Sequence, residues 1–266
     1  MNKYILDLGC GWAKQPGAIG VDRAPLRSVD VVANLDVFPL PFKDGLFDEI
    51  YLNDVVEHIP NTIKLMEEIY RISAPNAKIF IRVINWNSEY NAMDPTHVRP
   101  FHEKTFNFFG EYKDRLHYSS ARFKVQEVKK GYSARARKLF RNNIKWLEIA
   151  SYYLNNVLED LNFILVAEKG NDGPAIRSAE GGLVGLLGCP ACLANKFLPP
   201  SAANAGFDIH QDRWLICRNN CGLKFPIVDG LPFITEELGT QFSKCDINEL
   251  PLGPIPSSFE RIESTD

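Results

Sequence analysis

The sequence has little of several features that mark specialised classes of protein. No run of apolar residues approaches the roughly 18 that a membrane-spanning helix needs, and no charged-then-apolar export pattern opens the chain. Six cysteines in 266 residues are too few for a secreted domain held by disulfides. Charge is nearly balanced, with 30 Lys and Arg against 33 Asp and Glu, so net charge alone favours no class of partner. We therefore expect a cytoplasmic protein that does not enter a membrane.

Short apolar runs alternate with helical patterns from Lys3 to about Lys169. The runs "YILDL", "AIGVD", "VDVVANL", "FDEIYLN" and "AKIFIRVI" read as strands. A helix is predicted from Asn61, a good cap, to Ser73, and a longer one from Arg137 to Leu161, before a closing strand "FILVAEK". This alternation predicts a parallel sheet covered by helices, an α/β, Rossmann-like doubly wound fold.

Periodicity stops after this region, which divides the chain into unequal parts. The stretch that begins Gly170-Asn-Asp-Gly-Pro174 is typical of a linker. A short, cysteine-punctuated stretch follows, for which we expect a small α+β domain, and then a segment containing three prolines that reads as a tail. The predicted parts are residues 1–170, the α/β domain; 171–182, the linker; 183–240, the small domain; and 241–266, the tail.

The first predicted strand runs into a glycine turn, "LDLGCG". Asp7 ends the strand, and Gly9 and Gly11 let the backbone turn sharply and let a ligand approach closer than a Cβ would permit. A tight strand-to-helix turn without a ligand gives the same pattern. Cys10 reads as a small buried residue within the turn.

Polar side chains also follow the next three predicted strands. Asp22 ends the second strand, where a carboxylate can accept both hydroxyls of a ribose. Asp36 lies on a loop beside Phe38 and Phe42, where a carboxyl can take an adenine amino group while apolar side chains sandwich the ring. Asn53 ends the fourth strand. All these groups point to the crevice at the carboxyl ends of the strands, where open α/β sheets bind ligands.

These stretches together resemble the class I S-adenosylmethionine-dependent methyltransferases. The matching segments are "LDLGCG", "GVD", "NLDVFPLPFKDGLFDEIYLNDVVEHI" and "LMEEIYRISAPNAKIFIRV", in the order found in that family. The resemblance covers roughly residues 3 to 170 and implies S-adenosylmethionine as cofactor. It would place Asp7, Gly9 and Gly11 at the methionine end, Asp22 at the ribose, Asp36 with Val37 at the adenine, and Asn53 toward the carboxypropyl or sulfonium side.

Two features bear on that resemblance. A dehydrogenase is the obvious rival, but Lys14 stands three positions beyond Gly11, where the dinucleotide fingerprint has its third small residue. Only eight residues separate Gly11 from Gly20, so the usual first helix of the fold must be shortened to a turn or loop.

The acceptor side is predicted in the loop after the fifth strand, "NWNSEYNAMDPTHVRPFHEKTFNFF". Asp94, His97 and Arg99 are candidates to contact or deprotonate the methyl acceptor, with His58 as an orienting residue close by. The alternative is that Asp94 and His97 only staple the loop and that Arg99 is solvated. Because a sulfonium is already an activated electrophile, a base is needed only if the acceptor holds a proton at neutral pH.

The segment 112–145 is strongly basic. It holds eleven Lys or Arg against two acids, Asp114 and Glu127, with Tyr118, Tyr132 and Phe140 available for stacking. This pattern is typical of an RNA-binding surface that tracks phosphates. A solvated strand and helix face is the plainer alternative.

Four of the six cysteines form two close pairs in the small domain. "CPAC" supplies Cys189 and Cys192, and after twenty-four intervening residues "CRNNC" supplies Cys217 and Cys221. Two such pairs deliver the tetrahedral thiolate set that Zn²⁺ prefers, so we predict a structural zinc site. The spacing of the second pair is less common than C-x₂-C.

Residues 183 to 238 also resemble a known protein. "GLLGCPAC" and "GLKFPIVDGLPFITEE" are similar to the small zinc-binding activator of methyltransferases that act on tRNA, ribosomal RNA and release factor. In that family the activator does no chemistry but covers an apolar edge of its methyltransferase, which implies contact between the two domains of this chain. Fusion would make the effective concentration of the activator very high.

Three functions therefore stay open. The first is methylation of RNA (tRNA or rRNA) or of a translation-related protein. The second is methylation of a small molecule or glycan, because the "DPTHVRP" segment specifies no polymer. The third is a non-catalytic scaffold that binds the cofactor.

Overall fold

The computed structural model describes most of the N-terminal region and shorter pieces of the C-terminal one. The predicted linker and tail lie outside the described residues, as do Cys192 and Cys221. The described residues are 3–110, 118–169, 183, 186–190, 193, 207–210, 214–217, 223–228, 231–232 and 234.

Seven strands form one mixed sheet with the order β3-β2-β1-β4-β5-β7-β6. Pairing is parallel from β3 through β5, whereas β7 runs antiparallel to both of its neighbours. The α/β prediction is confirmed, but a wholly parallel sheet is wrong at β7. The strands are β1 (Ile5–Leu8), β2 (Ile19–Asp22), β3 (Val31–Val32), β4 (Phe47–Asn53), β5 (Ser73–Ile84), β6 (Phe123–Tyr132) and β7 (Leu158–Ala167).

Helices are few among the described residues. Helix α1 confirms the predicted helix and its cap, because the Asn61 side chain accepts a hydrogen bond from Lys64 N at 3.0 Å. It buries Leu65, Met66 and Ile69 against the sheet. The helices are α1 (Thr62–Ile72), α2 (Glu89–Met93), α3 (Ala134–Leu139) and α4 (Ile144–Tyr153), with 3-10 turns at Val56–His58 and Thr105–Phe109.

The single helix predicted from Arg137 to Leu161 is wrong. Helix α3 ends at Leu139, and Arg141 and Asn142 take positive φ angles of 50° and 55°. Asn143 then caps α4 by accepting from Trp146 N at 3.2 Å. Asparagine favours caps and left-handed conformations, so the Asn-Asn pair breaks the helix that apolar spacing alone continues. By Leu158 the chain has already entered β7.

A second sheet, of four antiparallel strands, contains the described part of the small domain. Its chain meets the large sheet at an edge: Ile234 N donates to Val32 O on β3 at 3.0 Å, and Leu187 bridges Phe42. Leu187, Phe225 and Ile234 belong to the same buried apolar cluster as the large sheet. The strands, in the order β11-β10-β9-β8, are β8 (Phe207–His210), β9 (Trp214–Cys217), β10 (Lys224–Val228) and β11 (Leu231–Pro232).

No described helix is both long enough and apolar enough to cross a membrane. The cytoplasmic location stays a prediction.

Candidate active site

The glycine turn that follows β1 is hydrogen-bonded to the backbone near the end of β2. Gly9 N and Cys10 N both donate to Val21 O, at 2.8 and 3.1 Å. Gly9 has a φ of 68°, and a Cβ at this position would come closer than 3.0 Å to the side chain of Val55. Residues 9–18 form turns instead of a helix, which confirms the predicted loss of the usual first helix.

Asp22 is held beside the turn by two backbone groups. Its Oδ2 accepts from Gly11 N and its Oδ1 from Ala24 N, both at 3.0 Å. Gly11 has a φ of 50°, and a Cβ there would meet no atom within 4 Å. Each carboxylate oxygen retains accepting capacity, so a carboxylate and open space lie side by side at the carboxyl ends of β1 and β2.

Asp7 is a buried residue that stabilises the same turn by a hydrogen bond. Its side chain is 2% exposed, and Oδ2 accepts from Gln15 N at 2.8 Å. Burial raises the pKa of the Asp7 carboxyl. Cys10 is buried, as predicted, and burial raises the pKa of its thiol to about 12, so it behaves as an inert packing residue. These contacts give Asp7 a structural task, and its place at the methionine end stays a prediction.

The other predicted cofactor residues follow β3 and β4. Asp36 is exposed and donates its N–H to Asn34 Oδ1 at 3.0 Å, and Val37 beside it is 38% exposed. Asn53 is the exposed last residue of β4. All three lie at or beyond the carboxyl ends of β3 and β4, and their roles stay predictions.

A cavity of about 660 Å³ opens at the same edge, beyond β4. Asp54 follows β4, Arg82 and Ile84 end β5, and Asp160 lies near the start of the antiparallel β7, so three strands bring their ends to it. Arg99 is exposed and does not line this cavity. The lining residues are Asp54, His58, Arg82, Ile84, Tyr90, Met93, Asp94, Pro95, His97, Glu159 and Asp160.

Three of the four residues predicted on the acceptor side meet in this cavity. The rings of His58 and His97 pack edge to face with centroids 4.8 Å apart. Asp94 lies near them, with Oδ2 3.8 Å from His97 Nε2. Hydrogen bonds from Thr96 stabilise the charged form of Asp94 and lower the pKa of its carboxyl.

Sequence reasoning missed a charged group opposite these residues. Arg82 pairs with Asp54, and its Nε lies 3.8 Å from Asp160 Oδ1. Burial raises the pKa of the Asp54 carboxyl, and the positive charge of Arg82 lowers it by a smaller amount. Asp54 stands in the quoted "NDVVEHI" stretch without a distinguishing signal, and Asp160 fell within the wrongly predicted helix.

Glu57 lies behind the cavity. It is fully buried, and Oε1 accepts from Ile84 N at 3.2 Å. Its backbone carbonyl accepts from Val98 N at 2.9 Å, which ties the 3-10 turn to the loop that holds His97. Burial raises the pKa of the Glu57 carboxyl.

The glycine turn, bonded to the acid that ends β2 at the carboxyl edge of a seven-stranded sheet, lies within a part of the chain that is similar to a known family. Residues 2–120 match the methyltransferase domain family. The matched range includes the glycine turn, Asp22, His58 and the loop with Asp94 and His97.

Two proteins of known sequence are similar to parts of this chain. The chloroplastic tocopherol O-methyltransferase of Arabidopsis thaliana is 30% identical over 107 residues, which are 32% of this chain and 30% of that protein. This chain thus spans less than a third of the tocopherol enzyme. An uncharacterised protein of Methanocaldococcus jannaschii is 27% identical over 174 residues, 54% of this chain and 76% of that protein.

A solved structure is also similar to part of this chain. An S-adenosylmethionine-dependent methyltransferase from Archaeoglobus fulgidus is 21% identical, covers 62% of this chain and 86% of its own, and has a TM-score of 0.40. The family match and the sequence relatives support a methyltransferase enzyme. The match to the methyltransferase domain ends before β6, so β6, β7 and the four-stranded sheet lie beyond it.

Proposed function

We propose that this chain is an S-adenosylmethionine-dependent methyltransferase. The observation that carries the proposal is the Asp22 carboxylate fixed by Gly11 N at 3.0 Å beside open space, at the sheet edge that also holds the cavity of about 660 Å³. Open α/β sheets bind ligands at this edge. The family match over residues 2–120 supports the same function.

The residues after β1 to β4 fit the cofactor. Gly11 leaves room for close approach, Asp22 would accept from the ribose hydroxyls, and Asp36 with Val37 would hold the adenine. Asn53 would contact the carboxypropyl or sulfonium side. The cofactor supplies an activated methyl group when bound, so the chain's task is to position an acceptor and exclude water.

Calorimetric titration with S-adenosylmethionine and with its demethylated product tests this proposal. We expect micromolar binding of both by the wild type, loss of binding in Asp22→Ala, and weakening in Asp22→Asn, which keeps one oxygen as an acceptor. Glu89→Ala, an exposed change on α2, is the control. Because Asp22 also holds the turn, thermal unfolding of each variant separates loss of fold from loss of contact. A wild type that binds neither compound contradicts the proposal.

The acceptor that the cavity favours is a small hydroxylated molecule or a glycan. Four carboxylates line it, those of Asp54, Asp94, Glu159 and Asp160, against a single Arg82 and two histidines. Carboxylates accept hydrogen bonds from hydroxyl groups and repel phosphates. The volume lies in the range of small-molecule sites.

RNA, or a translation-related protein, is the second candidate, and a different surface favours it. In the described part of segment 112–145, Lys124, Lys129, Arg135, Arg137 and Lys138 are exposed, and none of them lines the cavity. Trp146, Tyr152 and Tyr153 on α4 are exposed next to this segment, at 57%, 84% and 82%. Exposed basic side chains can contact the phosphates of a nucleic-acid strand, and exposed aromatic side chains can stack on its bases.

Binding of bulk tRNA at rising salt separates the two candidates. Affinity that falls steeply with ionic strength and is lost in an Arg135→Ala, Arg137→Ala, Lys138→Ala variant supports RNA. Methylation of a small hydroxylated acceptor without RNA supports the first candidate. Turnover of any acceptor excludes the scaffold alternative.

We propose further that Cys189, Cys192, Cys217 and Cys221 bind one structural zinc ion in an activator-like domain. Cys189 and Cys217 are buried, at 1% and 4% exposure, which suits thiolates of a closed site. Two hydrogen bonds support contact between this part of the chain and the α/β domain, from Ile234 N to Val32 O on β3 and from Gly188 N to Pro41 O, both at 3.0 Å.

Elemental analysis and truncation test the zinc-binding domain. We expect one zinc per chain, reduced in Cys189→Ser and Cys217→Ser. A chain ending at Lys169 should be insoluble or lose cofactor affinity, because the edge at β3 and the apolar groups near Phe42 become exposed. A soluble truncated chain with full cofactor affinity contradicts the activator role.

A further inference from the structure

We propose that His58, Asp94 and His97 bind a divalent transition-metal ion inside the cavity, separate from the four cysteines. One ligand atom from each of the three side chains lies within 4.8 Å of the others. Two imidazoles and one carboxylate leave coordination positions open, the arrangement of a catalytic rather than a structural metal site.

Distance favours an ion over direct contact between these groups. His97 Nε2 and Asp94 Oδ2 are 3.8 Å apart, beyond the range of a hydrogen bond. Ligand atoms about 2.0–2.2 Å from one ion lie roughly 3–3.5 Å from one another. Small side-chain movements therefore bring the three groups around a single ion.

Hydrogen bonds to neighbouring groups prepare both histidines for this role. His97 Nδ1 lies 3.3 Å from the carbonyl oxygen of Asn91, which can only accept, so Nδ1 carries the proton and Nε2 keeps its lone pair. Metal-binding histidines commonly donate their other N–H to a backbone carbonyl in this way.

Thr96 fixes the other two ligands together. Its hydroxyl donates to Asp94 Oδ1 at 2.6 Å and lies 2.9 Å from His58 Nδ1. Because the hydroxyl has one proton, it accepts from His58 Nδ1, which leaves His58 Nε2 unprotonated. Thr96 N also donates to Asp94 Oδ1, at 2.8 Å, so Oδ2 is the oxygen left for a metal.

The site deepens the proposed function, on which this step rests, by naming a class of acceptor. An ion here would face the cavity and take oxygen atoms of the acceptor at its open positions, and two adjacent hydroxyl groups would fill them best. Metal binding lowers the pKa of a coordinated hydroxyl. Asp54 and Asp160 line the same cavity and are available to accept the released proton.

Titration with Mn²⁺ of the full-length protein loaded with one equivalent of zinc, which the four thiolates take first, tests the site by electron paramagnetic resonance. Mn²⁺ suits carboxylate and imidazole better than thiolate, so the cysteines compete little. We expect one Mn²⁺ per chain, with affinity reduced at least about tenfold in His97→Gln and in Asp94→Asn. His102→Gln, an exposed histidine outside the cavity, should match the wild type.

Equal Mn²⁺ affinity in the wild type and the folded ligand variants would overturn the proposal, as would a wild type that binds no Mn²⁺. Calorimetry with S-adenosylmethionine keeps the two proposals apart. Cofactor binding without Mn²⁺ binding removes the metal site and leaves the methyltransferase. Mn²⁺ binding without cofactor binding contradicts the proposed methyltransferase function and keeps the metal site.

Discussion

The two halves of the carboxyl edge differ in how their polar groups are used. In the cofactor half, after β1 and β2, the Asp22 oxygens and Asp7 Oδ2 accept backbone N–H groups, so the polar groups hold the fold. In the acceptor half, Arg82, Asp94 and His97 face a cavity, and Arg82 is held there by the carboxylates of Asp54 and Asp160. The carboxylates of the first half bond mainly to the backbone, whereas the second half also depends on pairs of side chains, such as Arg82 with Asp54 and Thr96 with Asp94.

This difference predicts where substitutions cost stability and where they cost only chemistry. A change in the cofactor half disturbs a turn that several backbone hydrogen bonds define. A change in the acceptor half alters charges at a partly solvated surface, where an ion pair is worth about 0–1 kcal/mol. The predictions below test that division.

The largest effect is expected at Gly9. Gly9→Ala places a Cβ against Val55 at a φ of 68°, so we expect the free energy of unfolding to fall by about 2–4 kcal/mol. Gly11→Ala, at a φ of 50° but with no atom within 4 Å of the Cβ, should cost about 1 kcal/mol. Urea unfolding of both variants measures the contrast. Equal losses would mean that strain in φ, and not the contact with Val55, makes glycine necessary.

A smaller effect on stability is expected at Arg82. Arg82→Met removes the charge that opposes the burial of Asp54, so the pKa of Asp54 should rise further above its ordinary value. The free energy of unfolding should fall by less than about 1 kcal/mol, and cofactor affinity should not change. NMR titration of the carboxyl group and urea unfolding measure the two quantities.

The raised pKa of Asp54 also fixes the direction in which the stability of Arg82→Met changes with pH. A carboxyl whose pKa is raised in the folded chain loses its proton first in the unfolded chain, so stability falls as pH rises above the unfolded value. The deficit of Arg82→Met should therefore be larger at pH 7 than at pH 4. Lys130→Met, which breaks the ion pair with Glu103 outside the cavity, is the matched control and should leave Asp54 unchanged. A large loss of cofactor affinity in Arg82→Met would show that the two halves are not independent.

The same division explains how much the sequence predicted. The cofactor half depends on a strand, a glycine turn and an acid within residues 5–22, so local pattern was enough to predict β1, β2 and the missing helix. Local pattern also predicted α1 with its cap at Asn61. Asp94 and His97 were found because a proline-bounded loop concentrates them.

The missed residues depend on contacts distant in sequence. Asp160 meets Arg82 only because β7 runs antiparallel beside β5, with Arg82 opposite Asn162 in register. Charged residues on β6, such as Lys124 and Lys129, hide its strand character, because one face of this edge strand is exposed. Without β6 and the first residues of β7, where Asp160 lies, the sequence could not show which side chains complete the cavity.

A separate effect, on the pH dependence of stability, is expected at the opposite edge of the sheet, where the ammonium group of Lys169 is held by backbone carbonyls. Its ammonium donates to the carbonyls of Arg71 and Ser73 at 3.0 and 2.6 Å and lies 5.1 Å from the centre of the Tyr70 ring. Burial lowers the pKa of Lys169 to about 8. Between pH 8 and the unfolded value of about 10.5, the unfolded chain binds more protons, so this group makes stability rise with pH.

Lys169→Met should remove that rise. We expect the difference in unfolding free energy, wild type minus variant, to be about 1–2 kcal/mol more favourable to the wild type at pH 9.5 than at pH 7. Lys124→Met, at an exposed position on β6, should show no such pH dependence. If the difference in unfolding free energy between the wild type and Lys169→Met stays constant with pH, the carbonyl oxygens stabilise the charged ammonium enough to cancel the effect of burial on its pKa. The amine would then keep its proton as firmly in the folded chain as in the unfolded one.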